Sequence, residues 1–165
     1  MPHTNMRSVQ DPTPATPAPP AVASSAWCPA RSGSCRRGAS GPYDCGTWGR
    51  GPARLAATQD GTTATITLTS SVTAPIAIGA DTLSADLLLT LNGGSTQTHF
   101  TGTANPAMVA GDPLEVGPLT GTVASGDSLD SYLATGDAYS LQIVYLGIAV
   151  TCQATTVQDP GPFVF

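Results

Sequence analysis

Strict alternation between apolar and polar residues is the feature that most constrains this sequence. In TTATITLT (62–69), Ala64, Ile66 and Leu68 share one parity, and threonines occupy the positions between them. TLSADLLLTL (82–91) repeats the pattern from Leu83 to Leu91. Successive side chains of a β-strand point to opposite faces, so both segments are predicted to be strands with one buried face. No segment of ten or more residues has a helical period. We therefore predict an all-β antiparallel sandwich, immunoglobulin-like or related, with about seven to nine strands.

The segment NGGS after Leu91 is the strongest hairpin signal in the chain. A turn at Asn92-Gly93 would place Asp86 opposite His99, whereas a turn at Gly93-Gly94 would place Leu88 opposite His99. Both registers put Phe100 on the leucine face and His99 on the other face. The hairpin therefore predicts a buried Phe100.

Three further patterns occur in the second half of the chain. In YSLQIVYLGIAVTCQATT the apolar parity changes at Gly147, which predicts a bulge or a bend within a strand. TAPIAIGADTL (73–83) resembles ANPAMVAGDPL (104–114), and SGDSL (125–129) is a shorter copy. Each copy predicts a turn in which an aspartate binds backbone amides. The region 127–133 is the only candidate for a helical turn, and LEV and LTGTV are predicted to be short strands.

Composition divides the chain near residue 42. Residues 1–42 contain eight of the fifteen prolines and many Ala, Ser and Arg residues, so they are predicted to form a disordered arm or linker. Residues 43–165 are predicted to form the β-sandwich domain. Cys28 and Cys35 lie in the arm, where they could pair across a small loop. No apolar stretch typical of a signal peptide is visible in the arm.

The charges are as unevenly distributed as the prolines. All six basic residues are arginines at or before Arg54, whereas Leu55 to Phe165 contains nine acidic residues and neither Lys nor Arg. This acidic segment would be repelled by phosphate backbones and by anionic lipid surfaces. Nucleic-acid binding by the domain is therefore not expected. The sequence also has no run of 18 apolar residues that would predict a membrane span.

Cys45 could be a nucleophile, a metal ligand, a buried thiol or half of a disulfide. A nucleophilic thiol needs a nearby positive group, and the domain has a single histidine, His99, far along the sequence. Neither CxxC nor HxxxH spacing is present. Cys45 lies near the start of the domain and Cys152 near its end, and such segments are often neighbours in a sandwich. We predict a Cys45–Cys152 disulfide, with Cys28–Cys35 as a second pair and buried free thiols as the alternative. A disulfide indicates an extracellular or cell-surface location.

Several segments of the domain resemble small secreted β-sandwich proteins of filamentous actinobacteria. The resemblance covers about residues 43–165 and is carried by YDCGTWG, VTAPIAIGADTL, FTGTANPAMVAGDP, VGPLTGTVASGDSLDSYL, LGIAVTC and PGPFVF. It implies an exported all-β protein with a cysteine near each end of the domain. Since that group has no assigned activity, the resemblance transfers no catalytic residue.

Candidate site residues fall into three groups. A hydrolase would use His99 as a general base, Asp86 to orient it and Ser84 or Ser95 as the nucleophile. Acidic residues could serve a glycosidase or bind calcium; the calcium candidates are Asp127, Asp130 and Asp137, and a glycosidase could also draw on Asp112 and Glu115. Aromatic residues that could stack on sugars are Tyr43, Trp48 and Tyr132.

Each group also has a structural explanation, because turn aspartates bind local amides and aromatic rings fill cores. We therefore expect a secreted, non-catalytic structural or interaction module of the cell envelope or extracellular space, without a cofactor. Its partner would be an envelope glycan or protein. A carbohydrate- or calcium-binding module is the first alternative, and a hydrolase that uses His99 is the second.

Overall fold

Ten β-strands form a single antiparallel sheet in the computed structural model of the protein, which describes residues 37–165. The strands are β1 Arg37–Asp44, β2 Arg50–Asp60, β3 Thr63–Thr73, β4 Ser84–Leu91, β5 Gln97–Gly102, β6 Pro113–Thr122, β7 Ser128–Ser131, β8 Leu141–Tyr145, β9 Ile148–Ala154 and β10 Phe163–Val164. A short 3₁₀ turn, Gly46–Trp48, links β1 to β2. The described residues contain no α-helix, so the all-β antiparallel prediction is confirmed. No helix in this range is long and apolar enough to cross a membrane. Cys28 and Cys35 lie outside the described residues.

The first strand begins at Arg37, six residues before the predicted domain start at Tyr43. It pairs with β2 along its whole length, from Arg37 opposite Ala57 to Asp44 opposite Arg50. Its inward positions are Ala39, Gly41 and Tyr43. Because two of these three inward residues are small, RGASGPYD lacks the apolar alternation that predicts β3 and β4.

The sheet closes on itself, and this corrects the prediction of a sandwich of separate sheets. Eight strands follow one another around a barrel in the order β4-β5-β6-β3-β2-β1-β9-β8, and β8 pairs with β4. The first half of β4 pairs with β8, from Ser84 to Leu87, and its end pairs with β7, from Leu89 to Leu91. β10 adds to the outer side of β7. A local apolar pattern identifies strands but does not specify which distant strands join, so closure was not predicted.

Two seams in the barrel have very short backbone pairing. β1 pairs with β9 only at Tyr43–Ala154 and Asp44–Gln153, and β5 pairs with β6 only at Thr101–Thr120. By contrast, the pairing of β1 with β2 and of β2 with β3 extends over eight residue pairs each. The barrel therefore consists of two four-stranded groups, β1-β2-β3-β6 and β5-β4-β8-β9, that face each other and join at the two seams.

The interior between the two groups is apolar, as the alternation predicts. Ala64, Ile66 and Leu68 of β3 are at most 1% exposed, and Phe100 of β5 is fully buried. At the β5–β6 seam the Phe100 ring lies against Gly121, where a Cβ atom would be 2.8 Å from the ring. Gly121 therefore allows the two groups to approach closely at the place where their backbone pairing is shortest.

The β4–β5 hairpin combines features of the two predicted alternatives. Leu87 lies opposite Phe100 and Leu88 opposite His99, which is the register predicted for a Gly93-Gly94 turn. However, the residues with positive φ are Asn92 and Gly93, at 51° and 63°, as in turns typical of hairpins. Gly94 and Ser95 lengthen the connection by two residues, and this shifts the register.

Three other local predictions are corrected by the structure. The parity change at Gly147 marks a hairpin between β8 and β9, in which Leu146 and Gly147 have φ of 50° and 80°. Leucine is rare at positive φ, so no turn was predicted there. The region around 127–133 contains strand β7 rather than a helical turn. LEV and LTGTV belong to one strand, β6, which has a register shift opposite Ile66–Leu68.

The two similar segments 73–83 and 104–114 lie against each other in antiparallel orientation. Ile78 and Met108 exchange both backbone hydrogen bonds at 2.9 Å, and the amide of Ala74 donates to the carbonyl of Asp112. The predicted aspartate turns are present at Asp112 and Asp127, whose carboxylates accept from the amides of Val109 and Ala124. The segments thus cover the barrel end where β4 and β6 begin and β3 and β5 end.

The predicted disulfide between Cys45 and Cys152 is present, and it lies at the β1–β9 seam. Cys45 directly follows Asp44, the last residue of β1 that pairs with β9, and Cys152 precedes that residue's partner, Gln153. The bond spans 107 residues of sequence. A covalent link thus extends the seam at the point where its backbone pairing stops.

We expect replacement of both Cys45 and Cys152 by alanine to lower the free energy of unfolding by about 4 to 5 kcal/mol, because the bond restricts a long loop in the unfolded chain. Urea unfolding of the wild type and the variant under non-reducing conditions measures this loss. The matched control replaces Cys28 and Cys35 with alanine, and the urea midpoint should be unchanged. A Cys45/Cys152 variant as stable as the wild type would contradict the prediction.

Candidate functional site

Two neighbouring clefts flank the loop 132–138, which connects β7 to β8. The first has a volume of about 470 Å³ and lies between this loop and the β4–β5 turn. The second has a volume of about 600 Å³ and lies between the loop and the end of β1. Leu133 and Thr135 line both clefts, so the loop forms a ridge between them. Both clefts are open to solvent on the barrel surface.

The first cleft, which we call the polar cleft, has a row of polar side chains as its floor. Thr90 of β4 lies directly between Gln97 of β5 and Asp130 of β7 in the sheet. All three side chains are half-buried and line the cleft. Directly opposed residues on neighbouring strands have side chains about 5 Å apart. The row therefore presents an amide, a hydroxyl and a carboxylate side by side.

The wall of the polar cleft is formed by Tyr132 and Leu133, with Val157 nearby. Tyr132 is half-buried, whereas Leu133 and Val157 are 44% and 50% exposed. The lining contains no lysine or arginine, and its only carboxylate is Asp130. The cleft therefore combines an aromatic and apolar wall with a polar floor that has no positive charge.

Ser140 holds the loop against the barrel. Its side chain is fully buried, and its hydroxyl accepts from the amide of Ala154 and donates to the carbonyl of Tyr132. Its own amide donates to Cys152 and its carbonyl accepts from the amide of Leu88, both at 2.8 Å. Ser140 thus connects β9, which contains Cys152, with β4 and with Tyr132 in the wall of the polar cleft.

In the second cleft, polar side chains mainly bind other groups of the protein. Gln153 donates from Nε2 to the carbonyls of Gly136 and Ala138 at 2.9 and 2.8 Å, so its amide fixes the loop. Asp44 and Asp137 also line this cleft, and Asp44 is paired with Arg50 at 3.4 Å. The second cleft contains no aromatic side chain. It therefore mainly supports the loop.

His99 lies on the outer face of the sheet in a small hydrogen-bonded cluster. Its Nδ1 is 3.0 Å from both carboxylate oxygens of Asp86, and the hydroxyl of Tyr139 donates to the same carboxylate at 3.0 Å. Burial raises the pKa of Tyr139, and the hydrogen bond to Asp86 and its negative charge act in the same direction. The cluster thus orients the ring of His99, whose side chain is 56% exposed.

The serines predicted to act with His99 are not brought to it. Ser84 lies four residues from Leu88, the residue opposite His99, which corresponds to about 13 Å along the strand. Ser95 lies in the β4–β5 turn, and its carbonyl accepts from Gln97. The observed partners of Nδ1 are the oxygens of Asp86. Neither serine is therefore placed to form the hydrogen bond between nucleophile and base that this type of hydrolase needs.

The three aromatic candidates have very different exposures. Trp48 is 50% exposed in the turn after β1, and Tyr132 lines the polar cleft. Tyr43 is only 4% exposed, because it occupies an inward position of β1. Tyr43 therefore cannot stack on a ligand, and that candidate is wrong.

The acidic candidates for calcium are separated rather than clustered. Asp127 Oδ2 accepts from Ala124 and Oδ1 from Asn92, while Asp130 Oδ1 accepts from the amide of Ser131. Asp137 is exposed and lines the second cleft. Between Arg37 and Phe165, no group of three or more His, Cys, Asp or Glu residues is arranged to hold a metal ion.

Sequence reasoning missed the buried polar residues that organise the loops. Besides Ser140, Asn105 is 4% exposed and uses its whole amide. Its Oδ1 accepts from Thr82 and Leu83, and its Nδ2 donates to the carbonyls of Gly79 and Pro106. Ser131 and Gln158 form a third buried pair at 3.2 Å. Serine and asparagine are common in turns, and no local pattern distinguishes these from the exposed ones.

Tyr43 yields a stability prediction. Its hydroxyl is buried, and no partner lies in hydrogen-bonding geometry, since the nearby Ser131 hydroxyl donates to Gln158. Burial raises the pKa of Tyr43 to about 12, and the closeness of Ser131 lowers it only in part. We expect Tyr43→Phe to keep or slightly increase stability at neutral pH, because an unpaired buried hydroxyl is costly.

The sign of the pH dependence follows from the raised pKa. The folded state retains the phenol proton more strongly than the unfolded state does. The protonated phenol of Tyr43 therefore makes its full contribution to folding stability below pH 10, the ordinary pKa of tyrosine. That contribution is lost as the pH rises toward about 12, the pKa in the folded state. The wild type should lose stability over this range relative to Tyr43→Phe in urea titrations. Tyr139→Phe, which loses a bond to Asp86, is the control and should be less stable at neutral pH. A Tyr43→Phe protein destabilised by several kcal/mol at neutral pH would show that the hydroxyl is paired.

Comparison of the chain with protein-family models, with curated proteins and with solved structures gives no match. The proposals below therefore rest on the residues and contacts of this chain.

Proposed function

We propose that the protein is a secreted, non-catalytic structural or interaction module of the cell envelope or extracellular space. The observation that carries the proposal is the Cys45–Cys152 disulfide at the β1–β9 seam. Structural disulfides persist in oxidising compartments and are rare in a reducing cytosol. The resemblance to secreted actinobacterial β-sandwich proteins supports the same location.

The arrangement of polar and apolar groups supports an interaction role. The barrel interior is filled by apolar side chains, and the two clefts lie on its outer surface. Residues 55–165 contain nine acidic residues and neither Lys nor Arg. Such a surface disfavours polyanionic partners, and we therefore propose an envelope glycan or a neutral or basic protein as the partner.

A hydrolase that uses His99 is the competing proposal. The hydrogen bond from Nδ1 to Asp86 favours it, because this contact orients an imidazole that acts as a base. The position of the two candidate serines disfavours it. Any reaction of this type would need another nucleophile, or a water molecule, beside His99.

The compartment is tested by fractionation of the native host into cytosol, envelope and medium, followed by non-reducing peptide mapping. We expect the protein in the envelope or medium, with Cys45 and Cys152 in one linked peptide, because the closed seam requires an oxidising environment. A cytosolic protein with both thiols free would overturn the proposal.

The absence of catalysis is tested with a broad panel of ester and glycoside substrates. We expect no turnover by the wild type above that of His99→Ala, because His99 has no serine partner. Asp86→Asn is the second variant, since it removes the carboxylate that orients the ring and keeps its size. Turnover that is lost in both variants would establish the hydrolase instead.

A further inference from the structure

We propose that the polar cleft, floored by Gln97, Thr90 and Asp130 and walled by Tyr132, binds a neutral saccharide, such as a segment of a neutral polysaccharide. The inference rests on the proposed function, since it names the ligand class of an extracellular interaction module.

The charge of the cleft selects against anionic ligands. Asp130 is the only charged residue in the lining, and no lysine or arginine is present to neutralise an anion. A phosphate, sulfate or uronate group would therefore meet a carboxylate without a compensating cation. A neutral ligand avoids this repulsion.

The floor offers hydrogen bonds of the mixed kind that sugar hydroxyl groups need. Thr90 can both donate and accept. Gln97 donates from Nε2 to Ser95 at 2.7 Å, which leaves its Oε1 as an acceptor. Asp130 uses Oδ1 for the amide of Ser131 at 2.8 Å and retains Oδ2. Because hydroxyl groups are both donors and acceptors, neighbouring hydroxyls on one ring can bind to this row in turn.

The wall supplies the apolar contact that a sugar ring also needs. One face of a pyranose carries C–H groups, and aromatic rings pack well against such apolar surfaces. Tyr132 lines the same cleft as the polar row and can supply this contact, and Leu133 adds apolar surface. A cleft with only polar groups or only apolar groups would not match both faces of the ring.

The wall is fixed before a ligand arrives. The carbonyl of Tyr132 is held by the buried Ser140 hydroxyl, and the far end of the loop is held by Gln153. A preformed site loses less conformational entropy on binding than a mobile one does. This fixation makes the polar cleft, rather than the exposed turn with Trp48, the better saccharide site.

The test uses the full chain in affinity electrophoresis and calorimetry with soluble probes. The neutral probes are dextran, laminarin, xyloglucan and galactomannan, and the anionic probe is polygalacturonate. We expect binding to at least one neutral probe and none to polygalacturonate. Tyr132→Ala should weaken binding at least about ten-fold, and Thr90→Val about five-fold through the loss of one hydrogen bond.

Matched controls lie elsewhere on the barrel. Trp48→Ala removes an exposed aromatic ring that lines neither cleft, and Thr67→Val removes a hydroxyl from the outer face of β3. Both should bind the neutral probe like the wild type. Retained binding in Tyr132→Ala, or loss in Trp48→Ala, would overturn the assignment of the site. Failure of all neutral probes, or equal binding of polygalacturonate, would overturn the ligand class. Neither result would affect the fractionation test of the proposed function, which fails only on a cytosolic, reduced protein.

Discussion

The disulfide between Cys45 and Cys152 closes the barrel covalently at the seam between β1 and β9. The strands on the two sides of that seam, β1 and β9, pair at only two positions. Without the bond, the two strand groups would still be joined by those two pairs, by the single Thr101–Thr120 pair and by apolar packing. Backbone hydrogen bonds also join β1 to the segment after β9, between Ser40 and Asp159 and from the amide of Thr155 to the carbonyl of Pro42. A covalent bond needs no long backbone ladder, so it allows the two groups to remain distinct and still enclose one core. The redox state of the compartment therefore acts on the closure of the fold itself.

The same seam is physically connected to the polar cleft. Ser140 binds the carbonyl of Cys152, the amide of Ala154 and the carbonyl of Tyr132. Since these bonds are buried, each lost partner would leave a polar group without water or a partner. Movement of β9 at an opened seam would therefore disturb the backbone of Tyr132, which lines the polar cleft. Ser140 therefore contacts both Cys152 of the disulfide and Tyr132, the residue proposed to contact a sugar.

Sequence reasoning found the features that depend on local periodicity and missed those that depend on register or closure. Alternation in β3 and β4 correctly predicted their buried faces, and the hairpin signal correctly predicted a buried Phe100, because these properties follow from parity alone. The pairing of Cys45 with Cys152 followed from their positions near the two ends of the domain. The start of β1 was missed because its inward residues are mostly small. Of the residues that line the cleft, the sequence pointed to Tyr132, Asp130 and Ser95. It did not point to Thr90 or Gln97, since their row with Asp130 exists only when three strands meet in one register.

The weak internal repeat has a physical role that its sequence alone does not reveal. Residues 73–83 and 104–114 pair with each other, so that Ala74 faces Asp112 and Asp81 faces Asn105. These two pairs are equivalent when one segment is shifted by 31 residues onto the other, which gives a local two-fold arrangement. Asn105 breaks this symmetry, because its counterpart is Ala74 and only Asn105 can hold the turn of the other segment through its side chain. Ile78 and Met108, at the centre of the two paired segments, are buried. The two segments therefore cover this end of the barrel. The polar cleft lies toward the other end, where the β4–β5 turn and the loop 132–138 leave room for a ligand.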